Sequence, residues 1–151
     1  MFSHISFKNN IINLTPAEWE NQALALFHHQ AQHNVVYHDY LKYLGLKIEL
    51  VQKLSQIPFL PIEFFKTHRV TTGNFAAEVV YQSSGTTQQA YSQHFLPSDK
   101  FYKQNALAIF EYYYGPLQNF IFLALLPSYL EQGQSSLVAM LDYFIKESTR
   151  H

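Results

Sequence analysis

The residues richest in chemistry are a short apolar run, Val79-Val80-Tyr81-Gln82, that empties into Ser83-Ser84-Gly85-Thr86-Thr87-Gln88. Glycine lets a backbone approach a ligand closely, consecutive N–H groups converge, and Ser and Thr hydroxyls add neutral donors. That order predicts a strand feeding a loop that wraps an anion, with a phosphate group as the natural guest. By composition alone, the same cluster is also what an ordinary turn between strands looks like. It is not a Walker A loop, because no Lys follows the glycine at the required place.

Other side chains offer weaker chemistry. His29 and His33 stand one helical turn apart, a spacing that can chelate a metal. Gln30 and Gln32 between them fit the plainer reading of a polar helix face, and no further ligand is placed, so no metal is assigned. His94 follows the loop closely enough to face bound phosphates. Ser83 or Ser84 with His94 would make a hydrolase pair, but Gly-x-Ser-x-Gly is absent and Asp is scarce. Glu63 and Glu131 are candidate acids, although a Glu near Lys66 or at a strand exit reads equally as a solvated surface group. The catalytic residues stay unknown at this level.

Tyr81-Gln82-Ser83-Ser84-Gly85-Thr86-Thr87 closely resembles the phosphate-binding loop of the adenylate-forming enzymes, the acyl-CoA ligase and luciferase superfamily. Two further segments resemble one branch of it, the LuxE-type acyl-protein synthetases. They are Ile57-Pro58-Phe59-Leu60-Pro61-Ile62-Glu63-Phe64-Phe65-Lys66-Thr67-His68 and Leu125-Leu126-Pro127-Ser128-Tyr129-Leu130-Glu131, the latter followed by Gly133 and Ser135-Ser136-Leu137-Val138. The resemblance implies ATP- and Mg²⁺-dependent activation of a fatty or related carboxylic acid as an acyl adenylate, for transfer to a protein thiol or CoA. It implies that Ser83, Ser84, Gly85, Thr86 and Thr87 cradle the β- and γ-phosphates, with Gln88 and His94 nearby, and that an acyl-CoA reductase-type protein is a partner. Phe110, Tyr112, Tyr113 and Tyr114 would line an acyl pocket or, as aromatic helix stripes usually do, form core.

The chain departs from the family where Gln88 and Gln89 follow the threonines and where no Lys appears before Lys100. It has no cysteine to accept an acyl group. The expectation is therefore an N-terminal fragment of such an enzyme, inactive alone and prone to self-association through apolar surface that its remainder would cover. The alternative is a non-catalytic nucleotide- or protein-binding module of the same fold.

The elements that must hold these residues are legible in outline. Thr15-Pro16-Ala17-Glu18 is a capping box that opens a helix over 15–31, with Trp19, Ala23, Leu26 and Phe27 at helical period. A second helix is predicted over 35–44, stopped at Gly45. Pro58 and Pro61 force an extended path after it. Short β-like pieces follow at 67–71, 77–82 and 93–96, with a Gly73-Asn74 turn. Pro97-Ser98-Asp99 begins a helix through Tyr114, ended by Gly115-Pro116. Residues 120–126 read as a buried strand because both faces are apolar. A last helix runs from Ser135-Ser136 to about Ser148, with Leu137, Met140, Leu141, Phe144 and Ile145 on one side. This order predicts an α/β fold, a helical region over 1–56 and an α/β region over 57–151, as one domain or fragment.

Bulk properties bound the partners. The 151 residues are 48% hydrophobic, with thirteen Phe and eleven Tyr, which suits one globular domain with an aromatic core. Ten Lys+Arg against eleven Asp+Glu, with no basic run, argue against nucleic acid. The absence of cysteine excludes disulfides and thiolate metal sites in these residues. The N-terminus lacks a signal-peptide pattern and no apolar run reaches the ~20 residues a bilayer span takes, so the expected location is cytoplasmic.

Overall fold

The computed structural model describes residues 14–83, 91–125 and 134–148. The fold is mixed α/β and mostly helical, and the chain divides into two compact units, Met1–Asn74 and Phe75–His151.

The first unit is built on two helices, α1 (Pro16–His33) and α2 (Val35–Tyr43). The expected pairing opens α1: the Glu18 carboxylate accepts from the Thr15 N–H at 2.9 Å and from the Thr15 hydroxyl at 2.6 Å. Those bonds, the hydroxyl's first, hold the Glu18 carboxyl below its ordinary value. Asn34 alone separates the helices. Its N–H donates to the Gln30 carbonyl at 2.8 Å and closes α1, while its Oδ1 accepts from the Tyr37 N–H at 3.1 Å and caps α2. Gly45, at φ 67°, stops α2 as expected. The Gly45 N–H reaches Lys42 O and the Leu46 N–H reaches Leu41 O, the paired bonds of a Schellman end, which a Cβ-bearing residue would strain.

The core of this unit is Phe27, Ala31, Tyr37, Leu41 and Val51. Phe27 and Ala31 lie four apart on α1, and Tyr37 and Leu41 four apart on α2, so each helix presents one stripe. The Tyr37 hydroxyl donates to the Pro58 carbonyl at 2.6 Å, and Ile57 and Leu60 pack on the core. The segment placed by sequence in an α/β region from residue 57 is therefore part of the first unit, whose boundary falls at Asn74. Residues 67–71 form no strand: Thr67 ends a short helix, α3 (Phe64–Thr67), and its hydroxyl donates to the Glu63 carbonyl at 3.3 Å. Gly73, at φ 76°, turns as expected and donates its N–H to the His33 carbonyl at 2.8 Å.

The second unit holds a two-stranded antiparallel sheet, β1 (Val79–Gln82) with β2 (Gln93–Leu96), and two helices, α4 (Asp99–Tyr114) and α5 (Ser136–Glu147). Val79 pairs with Leu96 and Gln82 with Gln93, so the strands form a hairpin around residues 83–92. Ser98 caps α4 by accepting from the Phe101 N–H at 3.1 Å, and Ser135 caps α5 by accepting from the Val138 N–H at 3.4 Å. Phe110 of α4 meets Phe120, Phe122 and Phe144 at centroid distances of 5.2, 5.7 and 5.3 Å, beside the fully buried Leu117.

The expected buried strand is corrected by this packing. Residues 120–125 take no place in a sheet, and Leu126 lies outside the described residues. Phe120 and Phe122 turn to the aromatic core while Ile121, Leu123 and Leu125 are 68%, 93% and 102% exposed. The run is apolar on both faces, but only the bulkier face finds partners. Leu137 on α5 is likewise 51% exposed, whereas Val138 and Phe144 are buried.

Candidate functional site

β1 carries the apolar half of the phosphate-loop sequence, and Ser83 follows it where the hairpin leads into residues 84–90. Ser83 and Ser92 close the neck. The Ser83 N–H donates to the Ser92 carbonyl at 3.1 Å, and the Ser92 N–H donates to Ser83 Oγ at 3.2 Å. Ser83 Oγ thus accepts inside the hairpin and keeps its hydroxyl hydrogen to donate. On its other edge β1 meets the approach to α5, where the Gln82 N–H donates to the Gln134 carbonyl at 2.8 Å. The N-terminus of α5 therefore begins beside the loop's root, and its unpaired N–H groups carry a partial positive charge. Ser84, Gly85, Thr86, Thr87 and Gln88 lie outside the described residues.

Below the neck stands a network that spacing alone did not reveal. The 3%-exposed Tyr81 donates its hydroxyl to Asp99 Oδ1 at 2.6 Å, and Asp99 pairs with Lys103 at 2.6 Å. The Asp99 N–H donates to Glu78 Oε2 at 3.2 Å, and the Tyr81 ring lies 5.3 Å from Tyr102, whose hydroxyl donates to the Ser136 carbonyl. Burial, then the hydrogen bond to Asp99, pushes the Tyr81 phenol far up. Burial raises the Asp99 carboxyl, but hydrogen bonds from Lys103 and Tyr81 outweigh it and leave the group below its usual range. The Asp99–Lys103 spacing is readable in sequence as an i,i+4 pair. The link from Tyr81 to Asp99 spans 18 positions and is not. This network ties β1 to the start of α4.

His94 sits on β2 opposite Tyr81, two residues beyond the neck, or about 7 Å along the strand. It is exposed. His29 and His33 do meet on α1, with centroids 4.5 Å apart, and among the described residues no group of three or more His, Asp or Glu could hold a metal. Glu63 is an exposed residue preceding α3, and Glu131 lies outside the described residues. Phe110 is core, whereas Tyr112, Tyr113 and Tyr114 are 72%, 72% and 66% exposed. The first unit contains a groove of about 470 Å³ between α1 and the proline-bounded segment, another feature not foreseen. No described helix is long and apolar enough to cross a membrane.

Comparison with family models, with curated proteins and with solved structures gives no match to this chain.

Proposed function

We propose that the second unit carries the phosphate-holding part of an ATP-dependent, LuxE-like acid-activating enzyme. The observation that supports it is the clasped hairpin: the strand carrying the buried Tyr81 ends in Ser83 at a pinned neck beside a helix N-terminus. In the proposed reaction, a carboxylate oxygen of a fatty or related acid attacks the α-phosphorus of ATP. Pyrophosphate leaves and an acyl adenylate remains. The N–H groups of Gln82 and Ser83 are already bonded, so the cradle for the β- and γ-phosphates falls to Ser84, Gly85, Thr86 and Thr87, with the Ser83 hydroxyl as an added donor. Mg²⁺ would share the charge on the leaving pyrophosphate. The thiol acceptor comes from outside these residues, which contain no cysteine, and a reductase-type protein partner would receive the acyl group.

Calorimetric titration of Mg-ATP into this chain and into Thr86→Val tests the reading. Binding that the variant loses supports it. Binding that both share removes the loop from the account.

A second reading is favoured by the bonded N–H groups at the neck and by the missing Lys: a non-catalytic module that holds a nucleotide or a protein. Mg-ATP binding without ATP–pyrophosphate exchange, in the presence of a fatty acid, selects that reading. We further propose self-association through Ile121, Leu123 and Leu125. Light scattering should show mass rising with concentration, and Leu123→Lys should suppress the rise.

A further inference from the structure

The groove of the first unit lies along α1, with Trp19, Leu26 and Phe27 on one side and Phe59 and Phe65 on the other. Its volume, about 470 Å³, is in the range of small-molecule sites, which are mostly apolar with a few polar groups that fix orientation. The polar groups here are the Tyr37 hydroxyl and two amides. Gln30 and Asn34 both line the groove, and no charged side chain does.

Asn34 is the informative one. It is 6% exposed, and its Oδ1 is taken by the Tyr37 N–H at 3.1 Å. With its oxygen occupied, what Asn34 has left to offer the groove is its Nδ2 donor, which a ligand oxygen can accept from. The nearby Tyr37 hydroxyl cannot serve as a donor to a ligand, because it already donates to Pro58 at 2.6 Å. At the rim, Trp19 is 55% and Phe59 86% exposed, aromatic area that a bound hydrocarbon would cover.

We propose that this groove binds an uncharged, largely hydrocarbon small molecule carrying one hydrogen-bond-accepting oxygen, held by the amide donors of Gln30 and Asn34. An ionised head is disfavoured because the lining offers no counter-charge. The inference is independent of the phosphate-loop reading: it uses only residues of the first unit and stands or falls without ATP.

Trp19 is the sole tryptophan of the chain, so its emission reports this groove directly. The full chain is titrated with 2-nonanone, nonane and nonanoate in turn. The expected result is a saturable shift of Trp19 emission with the ketone, at an affinity about threefold to tenfold above nonane, as one net hydrogen bond allows. Nonanoate should bind more weakly than the ketone. Ala23→Phe, which fills the groove, should abolish the response to both neutral probes with its far-ultraviolet helix signal unchanged. Gln30→Leu should shrink the preference for ketone over nonane. No saturable response, equal affinity for ketone and nonane, or nonanoate as the tightest probe each overturns the proposal. An emission shift that depends on protein concentration without any probe also overturns it, because the groove then takes a second copy. Should Ala23→Phe fail to fold, the ketone-to-nonane ratio in the native chain and in Gln30→Leu decides.

Discussion

In the first unit one buried amide, Asn34, closes α1 and opens α2, and the two helices then bury matching stripes against each other. In the second unit the run 120–125 half-buries two phenylalanines and leaves three large aliphatic side chains exposed. The first arrangement is local and self-sufficient, because its hydrogen bonds lie within a few residues of each other. The second depends on distant surface, since an extended segment can satisfy only the face that meets a partner. The contrast separates packing set by local bonds from an extended run whose exposed side chains no local bond can cover.

The largest expected effects come from the two cores. Phe144→Ala, at a site 2% exposed and ringed by Phe110 and Phe122, should cost about 3–5 kcal/mol, and Leu41→Ala about 2–5 kcal/mol. Urea denaturation measures both. A loss under 1 kcal/mol at Phe144 would mean that the second unit has no firm core and would break the comparison.

Capping effects are smaller. Asn34→Ala and Ser98→Ala each remove an acceptor from a helix N-terminus, worth about 0.5–2 kcal/mol. Asn34 should lie at the upper end, because its side chain is buried, while the backbone N–H that closes α1 survives the substitution. Equal losses would show that the joint has no special role.

Alkaline pH should then separate the units' tyrosines. Burial pushes the Tyr37 phenol up to about 12, with neighbouring Tyr40 adding to it. Its folded value lies above the ordinary 10.0, so the stability it contributes is full below pH 10 and is lost as pH rises toward 12. Absorbance titration of Tyr37→Phe should lack one late-ionising phenol, and its stability should fall less between pH 10 and 12 than that of the native chain.

The smallest effect sits at Glu18. Its folded value is lowered, so its contribution is present above the ordinary 4.5 and fades as pH falls through the depressed value. Acid titration followed by circular dichroism should show slight fraying of α1 that Glu18→Gln does not share.

Much of the secondary structure was legible because its signals are short-range. The Thr15–Glu18 pairing, the Gly45 stop and the Ser98 and Ser135 caps all act within a few residues. The strand over 93–96 and the helix over 99–114 fall where the pattern put them, and β1 starts two residues later than expected. The failures are long-range. The apolar content of 120–125 says nothing of whether a partner strand is available, and the β-like residues 67–71 could not reveal that Thr67 ends a helix. At the candidate site, the hairpin follows from the two strands, but the Tyr81–Asp99 bond and the groove assemble residues that sequence leaves far apart.

The one-residue joint at Asn34 also sets a rule for heritable change in this chain. One codon added or lost between His33 and Val35 would break up the single residue whose N–H closes α1 and whose side chain caps α2, carrying Tyr37 and Leu41 off Phe27 and Ala31. Substitutions can accumulate on the outer faces of both helices, yet the spacing between them is fixed, and length variants of this gene should be absent at that point.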